Sequence, residues 1–189
     1  MATTQGKPMR ADARRNYERL LIEARVAFLE RGTDASLEDI ARSAGVGIGT
    51  LYRHFPDRFA LMEAVFQGEV DTLEAEAAAL AGAERGPFDA LLAWVRAYVT
   101  WVGTFRGVAT ALLHEGRMAN CHTQLTSTAE KLVVRAQEAG ELHPDATTRD
   151  VLRLANAISY AAEKAAQKTP DDVDVADRLL KLAVEGLRR

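Results

Sequence analysis

Between Ser36 and Arg58 the chain reads SLEDIARSAGVGIGTLYRHFPDR, two short helical patterns joined by a glycine turn. The second pattern carries Thr50, Tyr52, Arg53 and His54 within a little over one turn. Leu51 and Phe55 fall on its other face, at i and i+4, where side chains of a helix meet. An exposed polar row with an aromatic hydroxyl, backed by an anchored apolar row, is what a DNA recognition helix requires.

The rest of the chain agrees with an all-α fold. Ala, Leu, Glu and Arg recur throughout, prolines number 5 in 189 residues, and β-branched alternation is nearly absent. The net charge of −3 argues at first against a nucleic-acid partner, but the distribution matters more than the sum. Residues 1–58 hold 10 Lys and Arg against 8 Asp and Glu, which leaves 14 against 19 for the remainder. A weakly basic head thus sits on an acidic body. One cysteine, Cys121, excludes an intrachain disulfide and suits a reducing compartment. No apolar run approaches a membrane span, and the N-terminus has no signal-peptide pattern. A cytoplasmic protein is expected.

Residues 1–10 are polar, with Gly and Pro, and read as a flexible basic arm. A first helix is predicted over about 11–31, with an apolar stripe of Leu20, Leu21, Ala24, Ala27 and Phe28 and Gly32 as its stop. Ser36 is placed to cap the second helix, with Asp39 completing a capping-box-like S-x-x-D. Gly45 supplies the turn, the third helix runs over about 47–55, and Asp57 caps a fourth that continues to about 80. Further helices are expected over about 88–105, 107–118, 122–139, 147–168 and 171–188, nine in all. The predicted organisation is an arm (1–10), a three-helix DNA-binding head (11–58), a connecting helix (59–80) and a helical regulatory body (81–189).

A small amphipathic three-helix unit with no DNA function is the plainer reading of the head. Two features count against it. Gly47 and Gly49 stand at the start of a short helix that propensity would not favour; glycine there lets a phosphate or base edge come close, beside free N–H groups at the helix start. Thr50, Tyr52, Arg53 and His54 are also all competent phosphate or base donors.

The segment AGVGIGTLYRHFPDRFALMEAVF, with the Arg-rich start of the first helix, the Phe28-to-Gly32 end, Ser36, Ile40-Ala41 and Ala44-Gly45-Val46, resembles the signature of the TetR family of transcriptional regulators over about residues 11–66. The resemblance implies phosphate contacts for Thr50, Tyr52 and His54, with Tyr52 also able to reach base edges. It implies a phosphate contact for Arg58, which stands where the family usually has Lys, and a backbone-side cap for Ser36. Ile48 and Arg53 fall at variable positions facing the groove; Arg53 is either a base reader, bidentate to guanine, or a phosphate clamp. Gly47 replaces the usual Ser or Thr and removes a hydroxyl contact. Arg10, Arg14 and Arg15 either approach the phosphates or minor groove or form a solvated helix start.

For the body the resemblance implies a homodimer built on the last two long helices and a ligand pocket among the others. Val151, Leu154, Ala155, Ile158 and Ala162 on one helix, and Val175, Leu179, Leu182 and Ala183 on the next, are the candidate interface; the alternative is ordinary intrachain core. Trp94, Tyr98, Trp101 and Phe105 form one aromatic stripe, read as core packing for most of the four. Candidate pocket residues are Trp94, Tyr98 and Trp101, the apolar Met62, Phe66 and Met118, and the polar His114, Asn156, Tyr160 and Glu163, the last three on one helix face. Cys121-His122 with His114 matches no standard metal site, and no catalytic constellation is present, so neither metal, cofactor nor enzymatic activity is expected. The resulting expectation is a sequence-specific transcriptional regulator: a homodimeric repressor on a palindromic double-stranded operator, released by a small-molecule effector. An enzyme in a helical bundle, or a ligand-binding or protein-interaction bundle that has lost DNA binding, are the alternatives.

Overall fold

The computed structural model describes residues 6–83, 86–169 and 174–187, with side chains from Ala11 onward except that of Glu185. Its elements are α1 (Gly6–Arg31), a 3-10 turn (Gly32–Asp34), α2 (Leu37–Ser43), α3 (Ile48–His54), α4 (Arg58–Gly82), α5 (Pro87–His114), α6 (Ala119–Glu138), α7 (Thr148–Lys168) and α8 (Val175–Leu187). They form two compact units, Met1–Gly68 with Gly107–Arg117, and Glu69–Arg106 with Met118–Arg189. Both α4 and α5 therefore contribute to each unit.

In the first unit three of the five expected stripe residues of α1 form the buried edge, while Leu21 and Ala27 are half-buried: Leu20 and Ala24 are buried fully and Phe28 nearly so. They pack in a core with Leu37, Ile40 and Ala41 of α2, Leu51 of α3, and Leu61, Met62 and Phe66 of α4. Burying each large side chain of this set is worth about 1.5–3 kcal/mol relative to leaving it exposed. The turns are set locally. Gly32 and Gly45 take φ of 59° and 68°, a left-handed conformation that costs other residues about 1–2 kcal/mol. Ser36 caps α2 by accepting a hydrogen bond from the Asp39 amide at 3.2 Å. The capping box is only half formed, because the Asp39 carboxylate pairs with Arg42 at 2.8 Å and Arg31 at 3.4 Å. Asp57 caps α4, its Oδ1 accepting from the Ala60 amide at 2.6 Å.

The second unit is organised around Trp94, fully buried, whose Nε1 donates to the Leu73 carbonyl at 3.0 Å. The four aromatic rings of α5 lie in a row, with centroid separations of 5.4, 5.8 and 6.3 Å from Trp94 to Phe105. Thr147 caps α7 by accepting from the Asp150 amide.

Three expectations are corrected. The predicted break near residue 106 does not exist: α5 is continuous, and the described residues hold eight α-helices rather than nine. A mid-helix glycine costs only about 1 kcal/mol, and burial of the flanking Phe105 and Val108 outweighs it. Gly6–Arg10, read as part of a flexible arm, continue α1, while residues 1–5 lie outside the described residues. Val151, Ala155 and Ile158, read as dimer-facing, are 4%, 1% and 4% exposed in the single chain. A side chain already buried has little surface left to give a partner, so that face of α7 belongs to the chain's own interior.

Candidate nucleic-acid interface

The third helix is anchored from below. Leu51 is fully buried and Phe55 is 3% exposed, and Tyr17 of α1 stacks on Phe55 at 5.1 Å between centroids while meeting the edge of His54 at 5.7 Å. On the outer side Ile48, Tyr52 and Arg53 are exposed and Thr50 and His54 half-buried. Among the described residues Arg53 makes no ion pair, so its charge is uncompensated by a local carboxylate. His54 is thus partly a packing residue. Tyr17 was not singled out from sequence; its signal is position, three residues before Leu20 on the same helix face.

A β-carbon added to Gly47 or Gly49 would meet no atom within 4 Å, and the Gly47 φ of −70° suits any residue. Neither packing nor backbone conformation inside the chain therefore asks for glycine at these positions. What glycine does there is leave the backbone uncovered toward solvent.

The cations of the head fall into two kinds. Arg14 and Arg15 are exposed and paired on their own helix, Arg14 with Glu18 at 2.8 Å and Arg15 with Asp12. The side chain of Arg10 lies outside what is described. Arg58 is half-buried, and its Nη1 donates to the carbonyls of Thr33 at 2.5 Å and Ala35 at 2.6 Å. It therefore clamps the start of α4 to the stretch that enters α2. Ser36, besides capping α2, donates its hydroxyl to Glu38 at 3.2 Å.

The candidate pocket residues are divided between the two compact units. Met62 and Phe66 are buried in the core of the first unit, and His114 is exposed at the end of α5. In the second unit Trp94 and Tyr98 are core, and Met118, half-buried, precedes α6. Asn156 and Tyr160 face outward, Tyr160 being 53% exposed, while Glu163 on the same face is half-buried. Two local groups do assemble. Asn156 Nδ2 donates to Tyr98 Oη at 3.4 Å; burial raises the Tyr98 phenol above its ordinary range, and this hydrogen bond offsets part of the rise. Arg106 pairs with Glu163 at 2.6 Å, donates to Ser159 Oγ at 3.1 Å and lies over the Tyr160 ring at 5.7 Å. Among the described residues no group of three His, Cys, Asp or Glu side chains is placed to hold a metal, and no helix is long and apolar enough to cross a membrane.

Comparison with known proteins matches this arrangement in both parts of the chain. The family described as "Bacterial regulatory proteins, tetR family" matches residues 20–65, which include the whole of α2 and α3. The family described as "Transcriptional regulator SbtR-like, C-terminal domain" matches residues 86–189. The chain belongs to the TetR family. Its head is a DNA-binding helix-turn-helix, and TetR-family proteins are transcriptional regulators rather than enzymes. A TetR transcriptional regulator of Streptomyces coelicolor, SCO0520, is 35% identical over 91% of this chain and 98% of its own, with a TM-score of 0.72. A TetR transcription regulatory protein of Mycobacterium vanbaalenii is 31% identical over 96% and 100%, with a TM-score of 0.73. The HTH-type transcriptional regulator SAR0097 of Staphylococcus aureus is 39% identical over 67 residues. That match covers 35% of the Staphylococcus protein, so the chain spans about a third of the length of such curated relatives.

Proposed function

We propose that this TetR-family chain is a cytoplasmic homodimeric repressor that leaves a palindromic operator when a small molecule binds its helical body. The observation that carries the reading is the exposed row of Ile48, Tyr52 and Arg53 over the buried anchor of Leu51 and Phe55. In this reading Thr50, Tyr52 and His54 hold phosphates, while Arg53 and Ile48 face base edges in the major groove. Arg10 and Arg14 add charge from α1. Binding then falls steeply with salt, because phosphate contacts release counterions.

Two features of the body support the rest. Leu182 is 66% exposed, and Leu154, Ala162, Val175, Leu179 and Ala183 keep partial exposure, an apolar surface suited to a second copy. A groove of about 470 Å³ runs past Val99, Thr100, Thr104, Ser159 and Glu163. Apolar walls with a few hydroxyls and one carboxylate suit a small organic effector. Sedimentation equilibrium on a labelled palindromic duplex tests the dimer: two chains per duplex are expected, and one chain, indifferent to the second half-site, contradicts it. Screening compounds for release of that duplex tests the effector, and release by none at saturating concentration contradicts that half.

A further inference from the structure

We propose that Arg117 is the positioning residue for the recognition helix: one guanidinium bridges Asp57 and Glu63 and holds the corner between α3 and α4 as DNA binding requires. The proposal rests on the DNA-binding reading of the head. All the groups involved lie in the first compact unit.

The corner is short. After His54 the chain runs through Phe55, Pro56 and Asp57 and enters α4 at Arg58. Asp57 uses both carboxylate oxygens: Oδ1 accepts from the Ala60 amide at 2.6 Å, and Oδ2 takes Arg117 Nη2 at 3.0 Å. Arg117 Nη1 reaches Glu63 Oε2, in the second turn of α4, at 3.1 Å. Both pairs are satisfied together only when the corner and the helix are in register, and a planar fork enforces this where a single ammonium would not. The base of the clamp is itself fixed. The Arg117 amide donates to the carbonyl of Leu112, a fully buried residue, at 2.9 Å, and Gly116 closes the turn at φ 69°. From the other side Arg58 ties the same corner to Thr33 and Ala35.

A direct phosphate role for Arg117 fits less well. Both of its Nη nitrogens already engage carboxylates, so its charge is compensated within the chain. Nor is it an ordinary surface ion pair, since it joins two points of the chain that flank the helix start. Loss of the clamp lets the corner sample other orientations, and affinity falls by the fraction that remains competent.

The test uses the full chain with Arg117→Met, Arg117→Glu, Asp57→Asn, and the double variant Arg117→Glu with Glu63→Arg. Asp57→Asn keeps an oxygen to cap α4 while removing the charge. Operator affinity is measured against salt concentration, and amide hydrogen exchange is measured without DNA. Arg117→Met is expected to weaken binding by about tenfold at an unchanged salt slope, with faster exchange confined to residues 54–63. Asp57→Asn is expected to weaken it less, and the double variant to recover part of what Arg117→Glu loses, since the swap restores the pair with residue 63 and not the one with Asp57. A shallower salt slope makes Arg117 a phosphate contact and overturns the proposal. Unchanged affinity and exchange, or loss without rescue, overturns it too. If the unsubstituted chain holds no duplex, the DNA reading fails, and exchange at 54–63 alone then supports or rejects the clamp.

Discussion

Tyr52 and Arg53 differ from ordinary surface residues in what lies beneath them, a fully buried Leu51 that fixes the helix they stand on. Tyr52→Ala is expected to weaken binding to all duplexes and leave thermal stability unchanged. Arg53→Ala is expected to relax discrimination at one operator position by about 1–3 kcal/mol if it reads a base; a uniform loss with a shallower salt slope assigns it to phosphate. Gly49→Ala separates fold from function. With open space around the added carbon, it should raise head stability by about 0.5–1 kcal/mol and still lower duplex affinity, as thermal melts and anisotropy titrations would show. The caps at Ser36 and Asp57 and the turn at Gly45 were legible because each depends on neighbours within a few residues. The roles of Arg58 and Arg117 were not. Their partners stand 23 to 25 and 54 to 60 residues away, and an arginine's appetite for carbonyls or carboxylates carries no mark of which ones.

Helix by helix, the periodicity of apolar residues located the elements and misjudged one break. Gly107 was read as punctuation, yet it sits inside α5 with no atom within 4 Å of an added β-carbon. Gly107→Ala is therefore expected to stabilise the chain by about 0.5–1 kcal/mol in chemical denaturation. Gly103→Ala should gain less, because its β-carbon would meet Ser159 Oγ at 3.3 Å. Period alone also cannot say whether an apolar face of α7 meets its own chain or a second one. Val151, Ala155 and Ile158 satisfy both readings in sequence, and only burial in the fold assigns them to the core. On α5, Tyr98 should ionise above the ordinary phenol range. Its phenol is raised by burial, so the neutral form favours folding: this contribution is complete below the ordinary value of 10.0 and fades as pH climbs toward the raised one. Absorbance titration at alkaline pH, with Tyr98→Phe as reference, would show this delayed step, and Asn156→Ala should delay it further.

At the scale of the whole chain, α4 and α5 each contribute residues to both compact units. The dimer reading makes its own demand. Leu182→Glu, at a position 66% exposed, should leave the single chain folded, shift light scattering from dimer to monomer, and cost most of the operator affinity. Scattering and affinity both unchanged would place any partner surface elsewhere. Sequence-specific DNA binding is the central requirement of a repressor, and selection of fragments from a random duplex library by the purified full chain at moderate salt tests it most directly. Recovery of one palindromic sequence is the predicted result. Recovery of nothing above background by folded protein would contradict it.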